Sequence, residues 1–420
     1  MHEKLINMVK YTGKNNVYYK NLFSSAGIIC DDIKTENDFL CIPTSNKDSY
    51  QENYSFVVSE PYSIYPHIDK LITRNTSGSS GKCLKVYWDR NDDIKSMFPI
   101  WVWRYKQYGI SVTSKLVSFF TTTYKLNRLI ETDDIWYNET KKILSLCKIN
   151  LNNDKIAKYY HEIYSFSPEW MQLQPSIAII LGEYINENKM KPLNSLKYIE
   201  LTGEYLTSNS YKLIKKFFDV KLTNNYGCIE TNYISIECEY NNMHINDKNV
   251  YVEILNNEIP IEKGEEGDIY VSSLNNHAMP FIRYKTGDRG FIKKENDCLC
   301  GNKSPILVIS SGRISEYILL KNGNKINNYI FLYTIEHINE YMGNPIKQFK
   351  IIQTQIEEFE VYLSLKDHFA NWKEAVKNAF LQNIKEESIK NCNWKFIFVD
   401  KIYPAVNTGK LSFFQNNLYS

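Results

Sequence analysis

The stretch Thr76-Ser77-Gly78-Ser79-Ser80-Gly81-Lys82 gathers glycines, hydroxyls and one cation into a single short run. That mixture suits a phosphate group: glycine lets the backbone approach closely, exposed N–H groups and hydroxyls donate hydrogen bonds, and the ammonium neutralises charge. The nucleotide P-loop needs Gly five residues before its second Gly and Ser or Thr after its Lys, but Thr76 and Cys83 hold those places. Taken alone, a flexible Ser/Gly linker is the competing reading. A second set is Cys238, His244, Cys298 and Cys300, spaced Cys-x5-His and Cys-x-Cys. Three thiolates and one imidazole suit a tetrahedral zinc ion whose four protein ligands leave no open position, which makes the ion structural. The competing reading is four unrelated residues.

The elements that must hold these residues are those of a sizeable soluble protein. With 420 residues the chain predicts two domains, or a large one with a smaller partner, and 43% hydrophobic with 23% charged residues excludes a chain disordered for lack of a core. Fifty Lys and Arg against 48 Asp and Glu leave a net charge of +2, which gives no grip on a nucleic-acid backbone. The segment from Met1 to Asn15 lacks the apolar core of a signal peptide, and no apolar run is long enough to span a bilayer, so no membrane partner and a cytoplasmic location are expected. Nine cysteines are then expected reduced, buried or metal-bound.

The first 70 residues read as helices and loops covering the main domain, and Leu71 to Trp88 as strand, loop, strand. The region from about Phe98 to Glu187 reads as aromatic and mixed helical stretches. Leu196 to Leu201, Tyr211 to Phe218 and Val220 to Thr223 alternate as strand, helix, strand, and the loops after such strands are where ligands bind. Val250 to Ile309 predicts short alternating strands, a β-rich subdomain. After Gly312-Arg313 a Lys-rich α+β segment begins, with a helix over Trp372 to Ile384 and a strand over Trp394 to Val399. The expected fold is therefore α/β, with domains 1–312 and 313–420.

Downstream of the glycine loop come Tyr226-Gly227-Cys228-Ile229-Glu230, Arg283-Tyr284-Lys285-Thr286-Gly287-Asp288, Gly312-Arg313 and Asn407-Thr408-Gly409-Lys410. In order and spacing these five elements resemble the adenylate-forming superfamily of acyl-CoA synthetases, luciferases and peptide-synthetase adenylation domains. Pro280 to Asp288 looks most like its compact phenylacetate-CoA ligase branch and the capsule-biosynthesis (CapK-like) relatives, and the resemblance runs from about Leu71 to the C-terminus.

The resemblance implies ATP and Mg²⁺, a carboxylic acid substrate, an acyl-adenylate, and transfer to coenzyme A or a carrier-protein thiol. Thr76 to Lys82 would hold the β- and γ-phosphates, and Glu230 the magnesium. Tyr226, with Gly227 beside it, would lie against adenine, and Gly203 with Glu204 would line that pocket. Asp288 would accept the ribose hydroxyls, a task suited to an ionised carboxylate, and Arg313 would reach the same ribose. Lys410 would bridge the attacking carboxylate and the α-phosphate, then leave as the C-terminal domain rotates about Gly312 to Ile318. Some bacterial phenylacetate-CoA ligase relatives place a zinc set where Cys238, His244, Cys298 and Cys300 stand. Trp170, Met171 and Tyr205, in loops flanking these motifs, would shape an apolar acyl pocket. Two positions depart from the pattern: Ile229 stands where a hydroxyl is usual before the magnesium Glu, and Ser315 where the pivot is acidic. Those departures keep two alternatives open, direct amide or ester formation from the adenylate and nucleotide binding without turnover.

Overall fold

The computed structural model describes residues 3–76, 84–120, 134–140, 142–148, 151–311, 317–384, 386–403 and 412–419. Four helices open the chain: α1 (Glu3–Asn15), α2 (Val17–Ser25), α3 (Glu36–Leu40) and α4 (Lys47–Glu52). Asn16 caps α2, and Thr35/Asp38 and Asn46/Ser49 form capping boxes on α3 and α4, so each short helix has its first N–H groups satisfied. They act as a clamp on a distant segment. The buried Tyr19 and Tyr50 hydroxyls lie 2.7 Å apart. Ile282 N–H donates to Tyr19 at 2.8 Å, Tyr50 donates to the Pro280 carbonyl at 2.6 Å, and Ser45 donates to the Ile282 carbonyl at 2.9 Å.

A hairpin of β1 (Ile72–Asn75) and β2 (Lys85–Trp88) leads into α5 (Arg90–Tyr108). The body sheet contains β3 (Leu116–Phe120), β4 (Ile135–Asn138), β5 (Ile143–Cys147), β6 (Trp170–Leu173), β7 (Tyr198–Thr202), β8 (Lys221–Cys228), β9 (Asn232–Glu237) and β10 (Met243–Ile245), in the order β10-β9-β8-β7-β6-β3-β5-β4. Its centre, β8-β7-β6-β3-β5, is parallel, and the flanking strands are antiparallel. Against one face pack α6 (Asn153–Phe166), α7 (Pro175–Glu187) and α8 (Ser208–Phe217), with Val117, Met171, Leu173, Ile199, Leu201 and Ile177 between the layers. Four of these strands, β3 to β6, lie in the region read from sequence as mostly helical. The buried parallel ones are short apolar runs, whose lack of alternation cannot be told from a helix by periodicity.

The other face, under α5, is polar at its centre. Glu200 is fully buried, and the Arg104 guanidinium meets it with Nε at 2.7 Å and Nη2 at 2.8 Å. Gln172, Asn225, Tyr198 and Tyr233 donate to the same carboxylate at 2.8, 2.7, 2.8 and 2.6 Å. Burial alone would raise the Glu200 pKa, but Arg104 and these donors hold it at about 2, below the ordinary 4.5. Removing one partner leaves a buried charge unpaired, so Arg104→Ala should cost about 3–5 kcal/mol in a urea melt. Because the folded pKa is depressed, the stabilisation is fully present above pH 4.5 and drains away as pH falls toward 2, and Glu200→Gln should remove that component of the acid dependence.

The second sheet, β12-β11-β13-β14-β15, is antiparallel: β11 (Val250–Asn256), β12 (Ile259–Pro260), β13 (Gly267–Ser273), β14 (Tyr284–Ile292) and β15 (Leu307–Ser311). Beyond residue 316 lie a hairpin of β16 (Tyr317–Leu319) and β17 (Lys325–Asn327) and a sheet ordered β20-β19-β18-β21. That sheet is built from β18 (Ile346–Gln355), β19 (Glu358–Leu365), β20 (Asn393–Phe398) and β21 (Phe414–Asn416). Helices α9 (Tyr329–Tyr341) and α10 (Lys373–Asn383) cover it, and Phe331, Phe359, Phe380 and Phe414 fill its own core. The expected helix and strand of this region fall within a residue of the observed ones. Among the described residues no helix is long and apolar enough to cross a membrane.

Candidate active site

The phosphate-loop residues Ser77, Gly78, Ser79, Ser80, Gly81 and Lys82 lie outside the described residues, as do Arg313, the 312–316 pivot and Lys410. The neck of the glycine loop is described. Thr76 N–H donates to the Leu84 carbonyl at 2.9 Å, and Leu84 N–H donates to Thr76 Oγ1 at 2.8 Å, so Thr76 closes the hairpin with its own side chain. Two residues earlier, Arg74 forks onto Asp93 at 2.6 and 2.9 Å. Asn232 donates to Asp93 at 3.1 Å and to Ser96 at 2.7 Å. The neck, the first turns of α5 and the residue two past Glu230 thus form one bonded unit. Sequence reading missed Arg74, Asp93 and Asn232, whose partners are far apart in the chain. Only Asp89, a helix cap ahead of two more acids, signalled that α5 begins there.

Glu230 follows β8 in a turn held by Trp88, whose Nε1 donates to the Ile229 carbonyl at 3.1 Å. Its carboxylate is 1% exposed. Oε1 accepts the Tyr284 hydroxyl at 2.9 Å, whereas Oε2 is buried with no hydrogen-bond partner among the described residues. An ionised oxygen in that condition is costly unless a cation or donor reaches it.

Strand β8 runs through Cys228, longer than expected, because it pairs with β9 across a bulge at Tyr226/Gly227. At Gly227 a Cβ would collide with the Asn232 carbonyl, so the bulge requires glycine. The bulge aims Tyr226 at the second sheet, where its hydroxyl donates to Asp288 Oδ2 at 2.7 Å. Burial first, then the Asp288 charge, push the Tyr226 phenol well above its ordinary pKa. Gly203 has φ +79° directly after β7. Glu204 then turns back onto α7, accepting Ser176 N–H at 3.1 Å and Ser176 Oγ at 2.9 Å, so it caps that helix.

The three expected acyl-pocket residues do not converge. Trp170 faces α5, with Arg104 4.8 Å from its ring, while Met171 points to the opposite side of the strand and is fully buried among α6, α7 and α8. Tyr205 stands beside Tyr333 and Glu336 of α9, and burial pushes its phenol up to about 12.

Cys238, His244, Cys298 and Cys300 come together, their ligand atoms all within 4.8 Å of one another. Sγ of Cys298 is 3.5 Å from that of Cys238 and 3.3 Å from that of Cys300, and His244 Nε2 is 3.2 Å from Cys300 Sγ. Zinc–sulfur bonds of about 2.3 Å in a tetrahedron place the sulfurs about 3.7 Å apart, so the set has the right size. His244 Nδ1 lies 3.1 Å from the Ser304 carbonyl, a partner that keeps the proton there and turns the Nε2 lone pair inward.

Residues 319–417 match the CapK C-terminal domain. The chain is 24% identical over 331 residues to the phenylacetate-coenzyme A ligase of Thermus thermophilus, 77% of this chain and 71% of that protein. It is 23% identical over 289 residues to the phenylacetate-coenzyme A ligase of Escherichia coli, 67% of this chain and 63% of that protein, which is under two thirds of its length. The fold superposes on 2-hydroxyisobutyryl-CoA ligase in its post-adenylation state, in complex with an acyl-AMP, with a TM-score of 0.77 at 16% identity, covering 99% of this chain and 88% of the other. The architecture is thus that of the adenylate-forming ligases, a large α/β body with a smaller C-terminal domain.

Proposed function

We propose that this chain, with its CapK C-terminal domain on an adenylate-forming body, activates a carboxylic acid at the expense of ATP. An oxygen of the acid attacks the α-phosphorus, the bond to the β-phosphate oxygen breaks, and acyl-AMP and pyrophosphate result. A thiol of coenzyme A or of a carrier protein then attacks the acyl carbonyl and AMP departs. The observation that carries this reading is Glu230, a buried carboxylate with one oxygen engaged by Tyr284 and the other without a partner among the described residues, set beside the Tyr226–Asp288 pair that joins the two sheets.

Glu230 Oε2 suits Mg²⁺, which when bound neutralises phosphate oxygens during the displacement. The residues of the chain do the rest. Tyr226 orients Asp288 toward the ribose, the Arg74–Asp93–Asn232 unit fixes the loop neck against the Glu230 turn, and Lys82 and Lys410 bring positive charge to the phosphates. Cys238, His244, Cys298 and Cys300 hold a structural zinc. The setting is cytoplasmic, without nucleic acid or membrane.

The test is acid-dependent exchange of labelled pyrophosphate into ATP over aryl, fatty and amino acids. Glu230→Gln should lower that exchange about a hundredfold, with a higher magnesium requirement, because one charge-stabilising contact is lost. ATP binding with no exchange for any acid would move the function to nucleotide binding without turnover, and product formed without any thiol, on an amine or alcohol, would replace the thioester step.

A further inference from the structure

One buried charge lies at the seam between the body and the C-terminal domain, away from the nucleotide residues. Glu183 of α7 is 4% exposed. Lys347, at the start of β18, places Nζ 3.3 Å from Glu183 Oε2 and 3.2 Å from Glu187 Oε1. The two carboxylates stand four residues apart, on one face of α7. Lys366 and Lys401 of the same domain also feel the Glu183 charge. Lys401 begins the run toward Lys410, and Tyr403, two residues on, reaches Asn153 at the start of α6 at 3.4 Å. The same seam continues to the start of α8. Glu336 of α9 faces the Thr207 side chain and the Ser208 N–H at the start of α8, and Tyr333 donates to the Ser310 carbonyl at 2.9 Å.

We infer that Lys347 is a positioning residue: its ion pair with Glu183 and Glu187 seats the C-terminal domain on α7 and so holds Lys401 to Tyr403, from which the chain runs on toward Lys410, in place for adenylation. The inference rests on the adenylation reading above. An exposed pair would do little. Glu183 is buried in the seated arrangement, however, so its attraction to Lys347 is little screened by water, and loss of the Lys347 charge would strand a buried carboxylate there. Glu187 is 58% exposed at its side chain, which leaves the pair open to water and able to release the domain when the acceptor must enter.

Hydrogen exchange of the full chain tests the seat without any substrate. The amides of residues 203–210, at the far end of the seam from Lys347, are the reporter, and those of β7 are the folding control. Lys347→Gln should speed exchange at 203–210 about fivefold or more with β7 unchanged. Lys347→Arg, which keeps the positive charge facing both carboxylates, should retain most of the protection. With an acid that supports pyrophosphate exchange, the Lys347→Gln chain should also lose about tenfold in kcat with the ATP KM held. Unchanged protection at 203–210 in Lys347→Gln, or a loss in Lys347→Arg equal to that in Lys347→Gln, overturns the inference. A wild-type chain that exchanges no pyrophosphate with any acid overturns the adenylation reading instead, and the seam protection is read independently of it.

Discussion

Lys410→Ala is expected to lower acid-dependent pyrophosphate exchange by roughly two to three orders of magnitude, while the ATP KM and the melting temperature stay near those of the parent chain. The carboxylate and the α-phosphate are both anionic, and their approach concentrates negative charge that only a cation between them relieves. Such a contact is made in the transition state and hardly at all in the ground state, so its loss falls on kcat. Lys410→Arg keeps the charge but widens it into a planar fork, and should recover only part of the rate. The second half-reaction separates this role from a general loss of function. Given preformed acyl-AMP and thiol, the Lys410→Ala chain should form thioester at close to the parent rate. Equal exchange in parent and variant would remove Lys410 from the chemistry and with it the assignment of 407–410 as the catalytic segment.

What the sequence could tell depended on whether a residue's partner was near in the chain or announced by type. Tyr226 and Asp288 were named separately, and the structure joins them at 2.7 Å. The glycines and flanking motifs carried enough local signal to find both. The four metal-ligand candidates were also named: their spacing left four unrelated residues as the competing reading, the resemblance favoured a shared site, and the structure brings their ligand atoms within 4.8 Å of one another. The Arg104–Glu200 network was invisible, since its charges are 96 residues apart and a Glu in an apolar strand has no local signature of a counter-ion. Trp170 and Met171 were expected in one pocket, but neighbours on a strand face opposite ways, and the strand itself was hidden in a region read as helical. For Glu204 the resemblance implies contacts to the nucleotide from the backbone, and its carboxylate caps α7. The division expected at 312/313 lies outside the described residues, between β15, which ends at Ser311, and β16, which begins at Tyr317.

Removal of the proposed zinc should loosen the junction between the two sheets of the body and leave the C-terminal domain unaffected. Metal analysis of the purified chain should find about one zinc per chain, and Cys298→Ser or Cys300→Ser should bring it close to zero. Each substitution should destabilise by about 3 kcal/mol or more, seen as a lower melting temperature, on the order of 5 to 10 °C for a domain of this size. The reason lies in what the four ligands connect. Cys238 follows β9 and His244 sits in β10, at the edge of the body sheet, whereas Cys298 and Cys300 lie on the loop between β14 and β15. The proposed ion would therefore pin the two sheets together at one place. Elsewhere along the junction, Tyr226 of β8 meets Asp288, midway along β14. Backbone contacts of the loop, such as Ile245 N–H to the Pro305 carbonyl at 2.8 Å, remain without metal, so chelation should loosen the junction and leave each sheet formed. ATP affinity should then fall with zinc content, while hydrogen exchange in the C-terminal sheet stays unchanged. If strong chelation strips no metal, and serine at either cysteine leaves melting and ATP affinity untouched, the four residues are a buried thiol cluster and the two sheets are held by packing alone.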